Sequence, residues 1–329
     1  MVYVDDILLT GNNPMEISNI TNMFNNFFHI KNLGDLTYFL EIEVPRNDTN
    51  IHLSKRKYAL DLLKDVGMLG CALVPTPMLL TSKLSATKSV LLNDKEAIAY
   101  RRLIGRLIYL TNTRPDIAFL VNHLSQFVSK PTNEHHQETM RVLGYLKNAP
   151  GIGIFFYSQN SIQLKAYSDS DWATCPETRK SITGFSVYLG ESLISWKSKK
   201  QQTISRNSFE AEYRALTSTT CEIQWTTYLL VDLHIKHLQP TLLYSDNQAA
   251  IQIANNQVFH ERTKHIEIDC HVVREKLNIG LLKLLPISSS LQAVDFFTKP
   301  LPTTQFNTLL SKQGMRNIYS QLEGGLIKY

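Results

Sequence analysis

Four short acidic segments in the second half of the chain place carboxylates among apolar or hydroxyl residues, where a solvated charge is uncommon. Carboxylates gathered from distant segments repel one another unless a cation offsets them. Divalent metals with oxygen ligands are the usual solution, and pairs of such metals drive phosphoryl chemistry. A nuclease is therefore the leading hypothesis. The segments are Tyr167-Ser168-Asp169-Ser170-Asp171-Trp172, Phe209-Glu210-Ala211-Glu212-Tyr213, Tyr244-Ser245-Asp246-Asn247-Gln248 and Ala293-Val294-Asp295-Phe296-Phe297.

Each acid also has an ordinary structural interpretation. Asp169 and Asp171 leave the same face of a strand and could be a surface pair at its end. Asp246 closes a strand and opens a helix, so it could be an N-cap, although open α/β sheets place ligand sites at this point. Asp295 opens a last helix, and its charge could do no more than interact favourably with the dipole of that helix. All four together, in an α/β chain, favour a shared site.

Helical geometry separates the two glutamates of the second segment. At about 100° per residue, Phe209, Tyr213 and Leu216 form one apolar stripe. Glu212 falls roughly 60° from the centre of this stripe and Glu210 about 100° from it. We therefore expect Glu212 to border the buried side of the helix and Glu210 to lie on its solvated face.

The elements that must position these acids follow a change of pattern near Pro150-Gly151. Before it, the patterns predict mainly helices, with a polar linker or long loop over 75–93. After it, they predict strands, then helices, then strands alternating with helices, which is typical of a mixed α/β layer domain. Trp172, Trp196 and Trp225 are expected in the core. The predicted strands cover 164–167, 181–189, 192–197, 241–244 and 281–286, and the helices cover 207–219, 222–233, 248–254, 263–278 and a last one from about 290.

Bulk composition narrows the class of protein. The 329 residues allow two domains, and the net charge of +5 is compatible with a polyanionic partner. The four cysteines are scattered without a CxxC pair, as expected of a reduced intracellular protein. No apolar run approaches the roughly 18 residues of a membrane span, and the first residues lack a signal-peptide layout. We expect a cytoplasmic or nuclear protein that uses no membrane and is not secreted.

The acidic segments resemble those of the ribonuclease H domain of copia-type retrotransposon polyproteins. Further matching motifs are Arg179-Lys180-Ser181-Ile182-Thr183-Gly184, Ile194-Ser195-Trp196-Lys197-Ser198-Lys199-Lys200-Gln201, His260-Glu261-Arg262-Thr263-Lys264-His265-Ile266-Glu267 and Phe297-Thr298-Lys299-Pro300-Leu301. The resemblance implies a ribonuclease H-like α/β fold, a mixed sheet with flanking helices. It assigns the catalytic, metal-binding acids to Asp169, Glu212, Asp246 and Asp295.

The resemblance also implies two Mg²⁺ ions, with Mn²⁺ as an alternative, and an RNA–DNA hybrid whose RNA strand is cleaved. One ion would make a water molecule nucleophilic, and the other would stabilise the leaving 3′ oxygen. His265 could assist proton transfer or product release, or it could only cap or pack a helix. Basic residues that could contact phosphates, or could equally be solubilising surface, are Lys197, Lys199, Lys200, Arg206, Arg262 and Lys264.

The amino-terminal part resembles the reverse transcriptase of the same polyproteins. Tyr3-Val4-Asp5-Asp6 matches the palm turn that carries two metal-binding aspartates, which makes Asp5 and Asp6 vestigial polymerase ligands. Family polymerases need another aspartate and the fingers upstream of this turn, so we expect no polymerase activity from this chain alone. An intact reverse transcriptase in trans is a candidate partner. Glu41 stands where the family usually has glycine.

The resemblance divides the chain into a truncated palm remnant (1–55), a helical thumb or connection region (56–155), a ribonuclease H-like domain (160–303) and a C-terminal tail (304–329). Two alternatives to a nuclease stay open at this point. One is a non-catalytic remnant that binds nucleic acid through helices around Arg101, Arg102, Arg106 and Arg114. The other is a decayed retroelement fragment without a selected role.

Overall fold

The computed structural model describes residues 1–82, 84–86, 89–235, 239–256 and 266–319. The first half of this part contains β1 (Val2–Tyr3), β2 (Asp6–Ile7), α1 (Pro14–Phe27), β3 (Tyr38–Phe39), β4 (Ile42–Glu43), β5 (Arg46–Asn47), β6 (Asn50–Leu53), α2 (Arg56–Asp65), α3 (Asp94–Leu110), α4 (Ala118–Ser125) and α5 (Asn133–Asn148). The second half contains β7 (Ile152–Tyr157), β8 (Leu164–Asp171), β9 (Ile182–Leu189), β10 (Ser192–Lys200), α6 (Ser208–Asp232), β11 (Thr241–Ser245), α7 (Gln248–Asn255), α8 (Glu267–Asn278), β12 (Leu282–Pro286), α9 (Asp295–Thr298), α10 (Thr303–Lys312) and β13 (Met315–Asn317).

A five-stranded mixed sheet forms the centre of the second half, in the order β10-β9-β8-β11-β12. The first three strands are antiparallel, whereas β8, β11 and β12 are parallel to one another. Helices pack against both faces of this sheet, which confirms the predicted α/β class with its mixed sheet and flanking helices. The strand β8 continues to Asp171, four residues beyond its predicted end, because it pairs with β9 along its whole length.

The prediction of two helices over 207–219 and 222–233 was wrong, because the structure has the single 25-residue helix α6 there. The stretch between the two predicted helices is rich in threonine, and β-branched and hydroxyl residues are poor helix formers. In the structure the hydroxyl groups of Thr217, Thr219 and Thr227 donate hydrogen bonds to the carbonyl groups four residues earlier. These bonds follow the helical ladder and satisfy the hydroxyl groups without interrupting it.

The two faces of the sheet are covered by different sets of helices. The helix α6 packs on β8 and β9, and α7 and α8 pack on β12 and against α6, so that Tyr213, Ala250 and Val273 are buried in one core. On the other face, α9 packs on β8, β9 and β10, and α4 packs beside it on β10. This second core continues through α2, α3 and α5 and ends at Phe306 and Leu309 of α10. The sheet is therefore anchored to the helices that precede it in the chain.

A second sheet joins segments that are far apart in sequence. Its order is β13-β7-β6-β5, and every neighbouring pair is antiparallel. This sheet brings the predicted palm remnant, the end of the predicted helical region and the predicted tail into direct hydrogen bonding.

The loop over 75–93 has no helix or named strand in its described residues, yet Met78 and Leu84 are buried in the helical core.

The amino-terminal elements lie at the surface. The helix α1 has no buried residue, and β1 and β2 form an exposed two-stranded hairpin.

Glu41 adopts a φ of 62°, the left-handed region that glycine enters at little cost. This conformation explains why glycine suits the position and why a glutamate there is strained.

Two expectations about tryptophans were wrong. Trp172 and Trp225 are exposed, whereas Trp196 is half-buried and packs against the cores on the α9 side of the sheet.

In the part of the chain that the structure describes, no helix has the length and apolar character needed to cross a membrane.

Gly184 allows α9 to approach the sheet, which gives a testable prediction. A Cβ atom at this position would lie 2.6 Å from Cγ2 of Thr298 and 2.8 Å from Cγ1 of Val294. We expect Gly184→Ala to lower the free energy of unfolding by about 1–3 kcal/mol, because α9 has to move. Urea denaturation would measure the change.

Gly105→Ala is the matched control. Gly105 lies inside α3, and a Cβ atom there would meet nothing within 4 Å. This control should stabilise the protein by about 0.5–1 kcal/mol, because alanine is the better helix former. Equal effects of the two substitutions would contradict the close approach of α9.

Candidate metal centre

Three of the four predicted acids meet at one edge of the central sheet. Asp169 lies near the end of β8, Glu212 in the second turn of α6, and Asp246 directly after β11. One carboxylate oxygen from each lies within 4.8 Å of the others. Among the described residues, this is the group of three acidic, histidine or cysteine side chains that could hold one metal ion.

The topology of the sheet explains this convergence. The strands β8 and β11 are parallel neighbours, so their carboxyl ends lie side by side and present Asp169 and Asp246 together. Asp246 is not the N-cap of the following helix. That role belongs to Asn247, whose side chain accepts a hydrogen bond from the backbone N–H of Ala250 at 2.9 Å. The Asp246 carboxylate instead accepts a bond from the Ser289 hydroxyl at 2.7 Å.

Glu212 is buried and only half satisfied. Its Oε1 atom accepts a hydrogen bond from the backbone N–H of Ser170 at 3.3 Å, which ties α6 to β8 beside Asp169. Its Oε2 atom is buried and has no hydrogen-bond partner among the described residues. A buried carboxylate oxygen without a partner is costly, so this atom points to a ligand that the described residues do not supply.

The expectation that Glu210 lies on a solvated helix face was wrong. Glu210 is buried, pairs with Arg214 at 2.8 Å, and accepts a hydrogen bond from the backbone N–H of Arg206 at 2.8 Å. The helical stripe describes only the residues of α6, whereas Glu210 is covered by the preceding loop. Its carboxylate is thus used in structural contacts around the first turn of α6.

Burial and repulsion by neighbouring acids raise the pKa values of Asp169 and Glu212. Burial raises the pKa of Asp169 to about 6, although a hydrogen bond donated by the Thr298 hydroxyl at 2.6 Å opposes this rise. Burial also raises the pKa of Glu212 well above its ordinary value, and the charges of Asp169 and Asp246 add to the effect. The protein therefore holds these carboxylates in an environment that disfavours their charge unless a cation is present.

Asp295 lies beside the group of three but is not part of it. It is the first residue of α9 and is buried, and its Oδ1 atom pairs with the Lys299 ammonium group at 2.9 Å. Sequence reasoning did not assign roles to Thr298 and Lys299. The signal available was the Phe297-Thr298-Lys299-Pro300-Leu301 motif, which carries a hydroxyl and a cation directly after a predicted acidic ligand.

Of the residues predicted to contact nucleic acid, some line one groove and others do not. Lys197, Lys199 and Lys200 line a groove of about 660 Å³ between β10 and the α3–α4 region. Arg206 is exposed and lies outside the lining of this groove. Arg262 and Lys264 lie outside the described residues, as does the auxiliary candidate His265.

The two aspartates of the predicted palm turn do not reach this centre. Asp5 and Asp6 lie at the tip of the β1–β2 hairpin, and both are exposed. Neither belongs to the acidic group found within the described part of the chain.

The donor set of the cluster fits a hard divalent cation. All candidate ligands are carboxylate oxygens, which suit Mg²⁺ and Mn²⁺ rather than softer metals. Three observations match a cation bound between these acids: the Glu212 oxygen that no described residue contacts by a hydrogen bond, the raised pKa values of Asp169 and Glu212, and the three oxygens within 4.8 Å of one another.

Comparisons with known proteins find relatives that are similar over most of the chain. The family described as "Reverse transcriptase (RNA-dependent DNA polymerase)" matches residues 1–80. The retrovirus-related Pol polyproteins from transposons RE1 and RE2 of Arabidopsis thaliana are 44% and 42% identical over 97% and 96% of this chain. The chain spans 22% of the length of each. Among solved structures, LC11-RNase H1, isolated from compost, is 14% identical, with a TM-score of 0.33, 45% of this chain and 99% of that chain covered.

The raised pKa of Asp169 gives a prediction for the metal-free protein. The folded-state pKa of about 6 lies above the unfolded value near 3.8, so the folded state loses stability as pH rises between these values. Asp169→Asn should therefore raise the free energy of unfolding at pH 8 by about 1–3 kcal/mol and change it little at pH 4. Urea denaturation in EDTA would measure both values.

Asp232→Asn is the control, because Asp232 is exposed at the end of α6. It should leave stability unchanged at both pH values. A loss of stability in Asp169→Asn at pH 8 would show that the carboxylate is not held at an electrostatic cost.

Proposed function

This chain is similar to retrovirus-related Pol polyproteins of transposons over almost its whole length, and from this similarity we propose that it is part of a copia-type retrotransposon Pol polyprotein whose second half is a metal-dependent ribonuclease H. In this proposal it cleaves the RNA strand of RNA–DNA hybrids by phosphodiester hydrolysis. The observation that carries the proposal is the meeting of Asp169, Glu212 and Asp246 within 4.8 Å, with one buried Glu212 oxygen that has no partner in the described part of the chain.

The choice of substrate follows from the neighbouring part of the chain. Residues 1–80 match a family described as an RNA-dependent DNA polymerase, and the product of such a polymerase is an RNA–DNA hybrid. A phosphodiester hydrolase attached to it would meet that hybrid as its nearest polyanionic substrate. Recognition of a hybrid depends on helix shape and on contacts to 2′-hydroxyl groups, so we expect little sequence preference.

The residues of the cluster have separate roles in the proposed mechanism. Asp169, Glu212 and Asp246 would hold Mg²⁺ or Mn²⁺, and Asp295 is the candidate fourth ligand for a pair of ions. Bound divalent ions in such sites stabilise charge on the phosphoryl group and make a water molecule nucleophilic. The Thr298 hydroxyl orients Asp169, and the Ser170 N–H orients Glu212. These bonds fix the ligands before substrate arrives, which lowers the reorganisation that the reaction requires.

The groove beside β10 is a candidate track for the sugar–phosphate backbone. Lys199 and Lys200 lie in the last two positions of β10, and Lys200 pairs across the sheet with Ile182, which in turn pairs with Asp171. Two strand spacings of about 4.8 Å separate β10 from β8. Basic side chains at that distance are suitably placed to neutralise phosphates next to the one at the acidic centre.

Cleavage of a labelled RNA–DNA hybrid with Mg²⁺ or Mn²⁺ tests the proposal. We expect Asp169→Asn and Glu212→Gln each to lower the cleavage rate by at least about a hundredfold, because metal ligands contribute several kcal/mol of charge stabilisation. Gel electrophoresis of the labelled RNA strand would measure the rate.

Asp232→Asn serves again as the control and should cleave at the wild-type rate. Salt-sensitive binding of the hybrid without cleavage would favour the non-catalytic alternative instead. Aggregation together with an absence of binding would favour a decayed fragment.

A further inference from the structure

Lys299 introduces a positive charge into the acidic site. Its ammonium group lies 2.9 Å from Oδ1 of Asp295, whose side chain is only 7% exposed, whereas the Lys299 side chain is 40% exposed. The lysine thus reaches from the solvent side into the cluster and contacts the one candidate ligand that lies outside the group of three.

The backbone of α9 fixes the position of this lysine. The Lys299 N–H donates to the Asp295 carbonyl oxygen at 3.1 Å, which sets the two residues one helical turn apart. The intervening Phe296 and Phe297 are buried, so the turn is anchored to the core beneath the sheet. The Thr298 hydroxyl of the same turn bonds to Asp169. One short helix therefore supplies a carboxylate, a hydroxyl group and a cation to the site.

The charge of Lys299 acts on the whole cluster. Burial raises the pKa values of Asp169, Asp171, Glu212 and Asp295, and the Lys299 ammonium group opposes that rise at all four. This places the lysine in the position of a counter-ion for several carboxylates, even though it forms its direct contact with one.

The four candidate ligands are consequently not equivalent. Glu212 has a buried oxygen without a hydrogen-bond partner in the part of the chain that the structure describes, and its neighbours Asp169 and Asp246 lie within 4.8 Å of it. Asp295 has its Oδ1 atom bound to Lys299 and its Oδ2 atom 3.5 Å from the amide of Gln305. Three acids are thus open to a cation, and the fourth is already occupied by one from the protein.

We propose that Lys299 is a resident counter-cation that holds Asp295 outside the three-carboxylate group and must release it before a second divalent ion binds. This inference rests on the proposed function in so far as the first ion binds to the group of three. It predicts unequal affinities for the two ions, with the second one weakened by competition from the lysine. Lys299 is thus a positioning residue for Asp295.

An ordinary ion pair between residues four apart on a helix would contribute little and would leave metal binding unchanged. The two possibilities differ in Mn²⁺ binding to the metal-free protein, which electron paramagnetic resonance can follow without substrate. Wild-type protein should bind one ion tightly and a second one weakly. Lys299→Met should strengthen the second site by at least about tenfold, because a competing unit charge in contact with the ligand is removed.

The matched variants separate this mechanism from a general change of charge. Lys299→Arg keeps the cation and should keep the second site weak, whereas Lys312→Met removes an exposed lysine from α10 and should have no effect. Asp295→Asn combined with Lys299→Met should abolish the gain, since the released ligand is then missing. Thermal unfolding of each variant would check that it folds.

Several outcomes would overturn the inference. The first is an unchanged Mn²⁺ affinity of the second site in Lys299→Met, and the second is a higher Mn²⁺ affinity of that site in Lys299→Arg. The third is a gain in Mn²⁺ affinity that persists in the double variant. Absence of any Mn²⁺ binding to wild-type protein would instead contradict the proposed function itself. Tight binding of one ion with no response to Lys299→Met would contradict only the role of the lysine.

Discussion

Mutual repulsion among buried and half-buried carboxylates is the constraint around which the second half of this protein is built. Asp169, Glu212 and Asp246 come from a strand, a helix and the end of another strand, and no short segment could hold them together. The parallel pairing of β8 with β11 and the bond from Ser170 to Glu212 oppose their separation. The cost of holding them is met by the hydrophobic cores on both faces of the sheet.

The helix α9 completes this arrangement although it is only four residues long. It lies across three strands. The Thr298 hydroxyl donates a hydrogen bond to Asp169 on β8, and the Thr298 side chain lies close to Gly184 on β9. The Phe297 carbonyl oxygen accepts a hydrogen bond from the Ser198 hydroxyl on β10. These three strand residues are directly opposite one another in the sheet register. The acidic centre therefore depends on packing between α9 and the helical core, as well as on the sheet.

The residue patterns were sufficient to predict an α/β layer domain and Glu212 beside the buried face of its helix, because alternation and helical stripes are local properties, whereas the mixed sheet was implied by the family resemblance. The patterns could not predict the burial of Glu210, since that depends on Arg214 and on the loop at Arg206. They also failed for Trp225, whose apolar character suggested a core position although its face of α6 is exposed. The contacts of Thr298 and Lys299 are set by how α9 docks, which a local pattern does not encode.

The second sheet has a consequence for how the chain acquires its structure during synthesis. The strand β7 has to wait for β13, which follows it by more than a hundred residues, and Phe306 fills the core that the early helices begin. On the ribosome, the helical region would therefore emerge with apolar surface uncovered until residues 303–317 arrive. Late closure of this kind slows folding and makes the nascent chain dependent on protection from aggregation.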